Sequence, residues 1–195
     1  MFTGTIKAVS KVKNSRKEAD SLFLEIEKPA NFHIDPGSSI ATNGVCLTVR
    51  EVLQESYFTE LMKTTLERTS FGKHVPERVN LEPSLKAGDP VDGHFVMGHV
   101  DTIGTIKKIE KGERSWNIVI NYPNEFSELV VLRGSITVNG VSLTVVDCEP
   151  GEFSVHLVDY SINHTTFPDL EVGDTVNIEF DMLGKYLLNK EENKK

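Results

Sequence analysis

Apolar and polar residues alternate over short stretches through most of the chain, which is the period of a strand with one buried face. Turn-forming residues separate these stretches at Pro36-Gly37, Asn43-Gly44, Gly88-Asp89-Pro90, Asn139-Gly140, Pro150-Gly151 and Gly173-Asp174. Many short strands at such spacing predict an all-β sandwich or small closed barrel, because closure removes exposed strand edges. One short helix is predicted in each half, over 63–69 and 160–165.

The same pattern, with much of the same sequence, occurs twice. The matching segments, in chain order, are 39–40 and 135–136, 43–49 and 139–145, 69–71 and 165–167, and 79–82 and 176–179. NGVCLTV in the first copy of the heptad and NGVSLTV in the second agree at six of seven positions. Because the matches keep their order with one residue of drift, we infer a duplicated domain, with two units of about 90 residues and a boundary near 86–93.

Each repeated heptad predicts a β-hairpin, because Asn-Gly favours the positive φ angles of a two-residue type I′ turn. The three apolar side chains after the glycine then share one face of the next strand, and Cys46 and Thr48 share the other. In the second copy the polar residues are Ser142 and Thr144. This polar face is turned to solvent, the commonest arrangement, or covered by a ligand; Cys46 fits the second alternative better, because cysteine is usually buried.

The tail has a different period. Apolar residues recur at helical spacing at Met182, Leu183, Tyr186 and Leu187, which predicts a helix over 181–195. No counterpart follows the first unit. The apolar stripe packs either on its own barrel or on another chain, and the pattern alone does not separate these alternatives.

Composition narrows the class of protein. Of 195 residues, 38 % are hydrophobic and 26 % charged, as in soluble globular proteins, and the net charge of −8 without a basic block argues against a nucleic-acid surface. Cys46 and Cys148 are too few for a disulfide framework. No apolar run reaches the ~20 residues of a membrane span, and the N-terminus lacks the apolar core of a signal peptide. A cytoplasmic protein is therefore expected.

The stretch GHFVMGHVD, residues 93–101, carries two histidines. The spacing of His94 and His99 does not place both imidazoles on one face of a helix or strand, and no cysteine or carboxylate completes a familiar ligand pattern. No metal is expected. The glycines beside the histidines, Gly93 and Gly98, indicate a close approach of backbone or ligand.

Taken together, the chain resembles the riboflavin synthase alpha-chain family. The motifs that carry the resemblance are MFTG, NGVCLTV, MKTTLERTSFG, VNLEPSL, DGHFVMGHVD, GSITVNGVSLTV, HTTF and VNIEFD. They run in the family's order from residue 1 to about residue 187, nearly the whole chain. The resemblance implies two similar six-stranded antiparallel Greek-key barrels, over 1–88 and 89–180, and a C-terminal helix over 181–195 that assembles a homotrimer.

The resemblance also implies a transferase reaction, the last step of riboflavin biosynthesis. Two molecules of 6,7-dimethyl-8-ribityllumazine exchange a four-carbon unit, giving riboflavin and 5-amino-6-ribitylaminouracil without an added cofactor. Joining two copies of one substrate needs two similar facing pockets, formed in the family between the N-terminal barrel of one subunit and the C-terminal barrel of a neighbour. Such positioning can supply several of the ~7 to 11 kcal/mol available from proximity. Association with lumazine synthase is a further expectation.

In the family's pattern, candidate catalytic residues are Ser142, His99, Cys46, Thr144 and Asp181. His99 is a candidate for proton transfer, since an imidazole titrates near neutrality, or it only binds ligand. Ser142 places or supplies a nucleophile, while Cys46 binds or adds to the ring in the opposite pocket, or merely packs against it. Thr5 stands where the second unit has His99, so the two pockets are expected to differ.

A larger set is implied to bind substrate: Gly4, Thr5, Ile6, Ser39, Cys46, Leu47, Thr48, Glu60, Leu61, Met62, Lys63, Thr64, Thr65, Gly98, His99, Val100, Arg133, Ser142, Leu143, Thr144, Val158, Asp159, Tyr160, Ser161, Ile162 and Asn163. Lys63, Thr65 and Ser161 hydrogen-bond the ribityl chain or ring carbonyls, or else cap the short helices. The sequence VDYS at 158–161 departs from the Ile-Pro-x-Thr frequent in the family, which affects detail of the C-terminal pocket.

The alternative is a non-catalytic lumazine- or flavin-binding protein on the same scaffold, such as an optical antenna. Loss of the polar pocket residues in one barrel would favour it. Both units keep a hydroxyl or thiol pair, and His99 is present, so the enzyme is the preferred interpretation.

Overall fold

The computed structural model describes residues 1–192. The first barrel is built from β1 (Ala8–Glu18), β2 (Ser21–Glu27), β3 (Ser39–Thr42), β4 (Val45–Val52), β5 (Ser56–Leu61) and β6 (Arg78–Pro83). The second is built from β7 (Thr102–Lys111), β8 (Ser115–Asn121), β9 (Ser135–Val138), β10 (Val141–Glu149), β11 (Glu152–Val158) and β12 (Thr175–Phe180). The helices are α1 (Lys63–Arg68), α2 (Asp159–His164) and α3 (Met182–Glu192), with 3₁₀ turns at Ser70–Gly72, Asn124–Leu129 and Phe167–Asp169.

Both units form closed antiparallel barrels with one topology. The strand order around the first barrel is β1-β2-β5-β4-β3-β6, and around the second it is β7-β8-β11-β10-β9-β12, the same order six strands later. Each barrel has its own apolar core. The expected fold of two similar six-stranded antiparallel barrels with a C-terminal helix is confirmed.

The repeated heptads form the hairpins that their turn residues predict. Asn43 and Gly44 have φ angles of 45° and 78°, and Asn139 and Gly140 have 47° and 79°, as a type I′ turn requires. In both strands that follow, the valine and leucine side chains of the heptads are buried in the barrel. Cys46 is half-buried on the outer face.

The two Asn-Gly turns also meet each other, which the hairpin pattern did not predict. A Cβ atom added to Gly44 would lie 2.7 Å from the backbone nitrogen of Gly140, and one added to Gly140 would lie 2.6 Å from that of Gly44. Only glycine permits backbones to approach so closely. The repeated turn is therefore part of the contact between the barrels.

Four buried asparagines join the barrels around these turns. Within each unit, the side-chain oxygen of the turn asparagine accepts from a strand backbone N–H: Asn43 from Asn80 and Asn139 from Asn177, both at 2.8 Å. Between units, the Asn80 amide donates to the Asn139 carbonyl at 3.0 Å, and the Asn177 amide donates to the Asn43 carbonyl at 2.8 Å. Because all four are at most 4 % exposed, these bonds hold the two barrels in one fixed arrangement.

The segments that precede the two barrels pair with each other as well. The Phe2 N–H donates to the Val96 carbonyl at 2.7 Å, and the Val96 N–H donates to the Phe2 carbonyl at 3.0 Å. Both side chains are buried in a small cluster with Ala41. This bridge carries each segment past its own barrel and toward the other one.

The C-terminal helix α3 contacts its barrel through a polar pair. The Lys185 ammonium lies 2.6 Å from a carboxylate oxygen of Asp101. The apolar side chains of Leu183, Tyr186 and Leu187 are 62, 71 and 67 % exposed, so this barrel leaves that part of the stripe uncovered. Residues 193–195 of the predicted helix lie outside the described residues. None of the helices described is long and apolar enough to span a bilayer.

The two cores differ at one matched pair of positions, which gives a test of stability. Thr42 and Tyr57 of the first barrel correspond to Val138 and Phe153 of the second, and all four are buried. Burial raises the pKa of the Tyr57 phenol, and the nearby Thr42 hydroxyl opposes that rise. Neither hydroxyl makes a hydrogen bond of normal geometry with any group in the described part of the chain.

We expect the double substitution Thr42→Val and Tyr57→Phe to be at least as stable as the wild type. Either substitution alone leaves one buried hydroxyl without its neighbour, and should be less stable than the double variant by about 1 to 3 kcal/mol. Urea denaturation of the four proteins measures this difference. Destabilisation of the double variant by the sum of the single changes would contradict the expectation.

Candidate functional site

A cavity of about 360 Å³ opens beside the polar face of the second heptad, and we call it the C-terminal pocket. Its lining combines strand β10, helix α2 and segments from the N-terminus and from between the barrels: Gly4, Thr5, Ile6, Asp92, Gly93, Ser135, Val141, Ser142, Leu143, Thr144, Tyr160, Ser161, His164 and Thr165. The expected ligand-binding residues of three separate segments, 4–6, 142–144 and 160–161, thus come together around one cavity.

The N-terminal segment reaches this pocket although it precedes the first barrel. The Ser142 N–H donates to the Gly4 carbonyl at 2.8 Å. Gly4 has a φ of 75°, and a Cβ there would lie 2.6 Å from the Ser142 Cβ, so the contact requires glycine. Thr5 and Ile6 follow directly and line the cavity of the second barrel.

The first barrel has the equivalent arrangement. We call it the N-terminal site, and it consists of Cys46 to Thr48 together with Gly98 to Val100. The Cys46 N–H donates to the Gly98 carbonyl at 2.8 Å, and Gly98 also has a φ of 75°. A Cβ on Gly98 would lie 2.7 Å from the Cys46 Cβ. His99 belongs to the second unit in sequence, yet its backbone lies beside the polar strand of the first barrel.

Because each of these segments lies against the barrel of the other unit, each site combines residues from both units. Thr5 and His99 occupy equivalent places in the repeat, as the sequence predicts, but each lies beside the barrel of the other unit. The N-terminal site therefore combines His99 with Cys46, whereas the C-terminal pocket combines Thr5 with Ser142. The two sites are built alike and differ in their reactive groups.

Other expected ligand-binding residues of the first unit lie on strands β3 and β5 and on helix α1. Ser39 is paired across the sheet with Thr48, at the N-terminal site. Glu60 forms an ion pair with Arg50, and Lys63 lies 3.7 Å from a carboxylate oxygen of Asp20. Met62 and Thr64 are exposed and Thr65 is half-buried.

Some expected residues can offer a ligand only their backbone. Leu47, Leu61 and Leu143 turn their side chains into the barrel cores, at 4, 0 and 8 % exposure. Arg133 is exposed, with a φ of 64°, and does not line the C-terminal pocket. Val100 is also buried.

The region where the sequence departs from the family's pattern forms the mouth of the C-terminal pocket. Tyr160 and His164, one turn apart on α2, stack with ring centroids 4.1 Å apart. Both line the cavity, together with Ser161. Val158 and Asp159 are exposed at the start of α2, and Ile162 packs against the barrel core. Asn163 lines a neighbouring cavity of about 280 Å³ together with Thr5 and Tyr160.

His94 is the functional candidate that the sequence did not reveal. Its Nδ1 atom lies 2.8 Å from the Ser142 hydroxyl oxygen. Burial lowers the pKa of the imidazole, and the negative charge of Asp181 opposes that shift. A neutral imidazole can accept the serine proton, so the pair has the geometry of a nucleophile and its base. In the sequence, the spacing of His94 and His99 bears only on metal binding, and the serine partner of His94 lies 48 residues away.

The signal that could have identified this contact is Gly93. A Cβ on Gly93 would lie 2.2 Å from the Thr3 carbonyl oxygen and 2.9 Å from the Ser142 hydroxyl oxygen. Glycine before the histidine thus lets the chain approach the polar strand. Asp181 precedes helix α3, where its carboxylate accepts the Leu183 N–H at 3.0 Å, and so connects the helix with the pocket.

In the part of the chain that the structure describes, no three His, Cys, Asp or Glu side chains are grouped so that they could hold a metal ion. The groups that remain for chemistry are hydroxyls, a thiol, imidazoles and backbone amides. Such groups bind a polar heterocycle and transfer protons. The arrangement gives each barrel a candidate site of related construction, with a cavity at the C-terminal pocket.

The comparisons with known proteins identify the class. The sequence model of the lumazine binding domain matches the chain twice, at residues 3–84 and 97–181. The chain is thus a protein with two lumazine-binding domains. It belongs to the riboflavin synthase family, which is a family of enzymes.

Its relatives support this over nearly the whole chain. Riboflavin synthase of Mycobacterium tuberculosis is 39 % identical over 194 residues, covering 96 % of each protein. The riboflavin synthases of Photobacterium phosphoreum and Bacillus subtilis are 36 and 34 % identical, covering 96 % of this chain and 87 and 88 % of theirs.

Solved structures show the same fold. LumP complexed with riboflavin superposes with a TM-score of 0.86, and LumP complexed with 6,7-dimethyl-8-(1'-D-ribityl) lumazine with a TM-score of 0.84. Each is 22 % identical and covers 92 % of this chain and 99 % of LumP. At this identity the likeness is one of fold.

Proposed function

We propose that this chain is a riboflavin synthase, transferring a four-carbon unit between two molecules of 6,7-dimethyl-8-ribityllumazine. The products are riboflavin and 5-amino-6-ribitylaminouracil. The atoms of the two substrates equal those of the two products, so the reaction needs no oxidant, reductant or cofactor. The observation that carries the proposal is the pair of related sites with unlike reactive groups on one duplicated scaffold.

The unlike groups fit the unlike roles of the two substrates. One lumazine loses a proton from its 7-methyl group and becomes the donor carbanion, while the other becomes electrophilic by addition to its ring. In the C-terminal pocket, His94 accepts the proton of Ser142, or of a water that Ser142 holds, for this addition. Thr144 and Asp181 assist there, by binding the ring and by stabilising protonated His94.

The N-terminal site then holds the donor. His99 and Cys46 lie on neighbouring segments there, and an imidazole can take up the methyl proton near neutral pH. Backbone groups of 98–100 and 46–48 bind the planar ring, since their side chains are partly committed to the core. Ring carbonyls and the ribityl chain are bound by hydroxyls such as Ser161.

The proposal includes a homotrimer in which the N-terminal site of one subunit faces the C-terminal pocket of the next. The exposed side chains of Leu183, Tyr186 and Leu187 on α3 support an interface between subunits, because a contiguous exposed apolar patch commonly marks an interaction site. Association with lumazine synthase and a cytoplasmic location belong to the same proposal.

Incubation of the purified protein with 6,7-dimethyl-8-ribityllumazine alone tests the function. We expect one riboflavin to form for every two lumazines consumed, followed by riboflavin fluorescence and by chromatography of both products. Sedimentation of the same sample measures the assembly. Tight binding of lumazine without turnover would contradict the enzyme and favour a non-catalytic lumazine-binding protein.

A further inference from the structure

We propose that Glu82 and Glu179 are positioning residues that act across the boundary between the barrels. Each carboxylate belongs to one barrel and fixes the loop that completes the site of the other barrel. The proposal deepens the proposed function, on which it rests, because it names what shapes the two ligand sites. Neither residue belongs to the expected site set, and neither touches a reacting atom in the scheme above.

Glu82 lies on β6 of the first barrel and is 3 % exposed. Its Oε1 atom accepts the Thr3 N–H and the Thr3 hydroxyl, both at 2.8 Å, and its Oε2 atom accepts the Gly4 N–H at 2.9 Å. The carbonyl of the same Gly4 accepts the Ser142 N–H at 2.8 Å. A carboxylate of the first barrel thus holds the segment that lines the C-terminal pocket of the second.

Glu179 occupies the equivalent place on β12 of the second barrel and is 2 % exposed. Its Oε1 atom accepts the Met97 N–H at 2.7 Å, and its Oε2 atom accepts the His99 N–H at 2.8 Å. The Gly98 carbonyl between them accepts the Cys46 N–H at 2.8 Å. This carboxylate therefore holds the His99 loop against the N-terminal site of the first barrel.

The chemistry of these contacts requires a carboxylate. Each uses both oxygens to accept backbone N–H groups, a strong form of hydrogen bond that offsets the cost of burying the charge. Burial raises the pKa of both carboxyls, and the backbone donors oppose that rise. A glutamine has one acceptor oxygen, so in either orientation its NH₂ group would face a backbone N–H, and one end of the loop would lose its partner.

The consequence is a crossed dependence between the barrels. Substituting Glu82 should loosen the site of the second barrel, and substituting Glu179 should loosen that of the first. A residue with an ordinary structural role would affect its own barrel most, or both barrels equally through a loss of global stability. The crossed pattern is therefore the distinguishing result.

Thiol labelling can report on the two sites separately. Cys46 is a native thiol at the N-terminal site, and Cys148, on the outer end of β10, serves as the internal reference. Ser142→Cys places a thiol in the C-terminal pocket at the position where the first unit itself has cysteine. Iodoacetamide labelling of the full-length protein, followed by peptide mass spectrometry, gives a rate constant for each thiol.

In the Ser142→Cys background, we expect Glu82→Gln to raise the labelling rate at position 142 about tenfold relative to Cys148, with Cys46 unchanged, because loss of a charge-assisted hydrogen bond opens the loop. Glu179→Gln should raise the labelling rate at Cys46 relative to Cys148 and leave the rate at position 142 unchanged. A change on the same barrel as the substitution, an equal change at both sites, or no change at either would overturn the proposal.

A milder variant keeps the test open if a glutamine variant does not fold. Thr3→Val removes the hydroxyl bond to Glu82 and the bond that the same hydroxyl accepts from the Thr5 N–H, but leaves both backbone bonds to Glu82. A smaller rise confined to position 142 is therefore expected. Labelling needs no turnover. Riboflavin formation is therefore measured separately, on the protein that keeps Ser142. Crossed labelling together with no riboflavin from that protein would support the positioning role and reject the proposed function, whereas uncrossed labelling together with riboflavin formation would do the opposite.

Discussion

Ser142→Ala is expected to lower kcat for riboflavin formation by about 100-fold or more, the range that a general acid–base pair typically supplies. The Ser142 hydroxyl is the group that His94 contacts at 2.8 Å, and alanine leaves the imidazole with nothing to activate at that point. Single-turnover kinetics with saturating lumazine measure the chemical step. Ser115→Ala, an exposed serine at the start of β8, is the matched control and should keep the wild-type rate.

If Ser142 and His94 act as one unit, their losses are not additive. His94→Gln should cost a similar factor, and the double variant should be little slower than either single one. Multiplying losses would indicate that the two residues act in separate steps. An undiminished rate for Ser142→Ala would remove the serine from the mechanism altogether.

The pH profile gives a second check on the same pair. His94 acts as a base only when neutral, and burial lowers its pKa from the ordinary value of about 6.5, against the opposing charge of Asp181. A lowered pKa keeps the imidazole neutral as the pH falls to 6.5, so the rate should decline only below that value. His99, the second proposed base, can add an acid limb of its own, so the comparison with His94→Gln decides. His94→Gln should remove the decline below pH 6.5, and an acid limb that is identical in this variant and in the wild type would argue against His94.

The barrels could be predicted from the sequence because their signals are local. Alternation with a period of two decides which side chains enter the core, and Asn-Gly decides where strands such as β3 and β4 turn. The duplication then transfers each conclusion from one unit to the other. Helix α3 followed from a change of period in the same way.

The composition of each site could not be predicted, because it depends on contacts between distant segments. Comparison of the repeats correctly paired Thr5 with His99, yet gave no sign that each lies against the opposite barrel. That exchange is made by Glu82 and Glu179, whose partners lie about 80 residues away. Likewise, His94 shows no serine nearby in the sequence.

The repeated turn shows both limits at once. Asn43-Gly44 and Asn139-Gly140 each carry the signature of a hairpin turn, and each forms such a turn. The same residues also make the contact between the barrels, with asparagines that the repeat alignment shows only as matching letters. A residue that satisfies a local rule fully gives no sequence signal for a second, long-range role.

That second role leads to the largest expected effect on stability. Asn80→Ala should lower the free energy of unfolding by about 2 to 6 kcal/mol, because two buried backbone groups lose their partners at about 1 to 3 kcal/mol each. Those groups are the Thr166 N–H, which Asn80 accepts at 2.8 Å, and the Asn139 carbonyl, to which it donates at 3.0 Å. Asn14→Ala, exposed on β1 of the same barrel, is the matched control.

Both lost partners belong to the second barrel, whereas Asn80 belongs to the first, so the effect should be felt across the boundary. Trp116 on β8 is the single tryptophan of the chain and reports on the second barrel. In urea, its fluorescence transition should shift to lower concentration in Asn80→Ala, together with the far-ultraviolet circular dichroism of the whole protein. A tryptophan transition that stays in place while part of the dichroism is lost would mean that the barrels unfold independently, and that the asparagine network does not couple them.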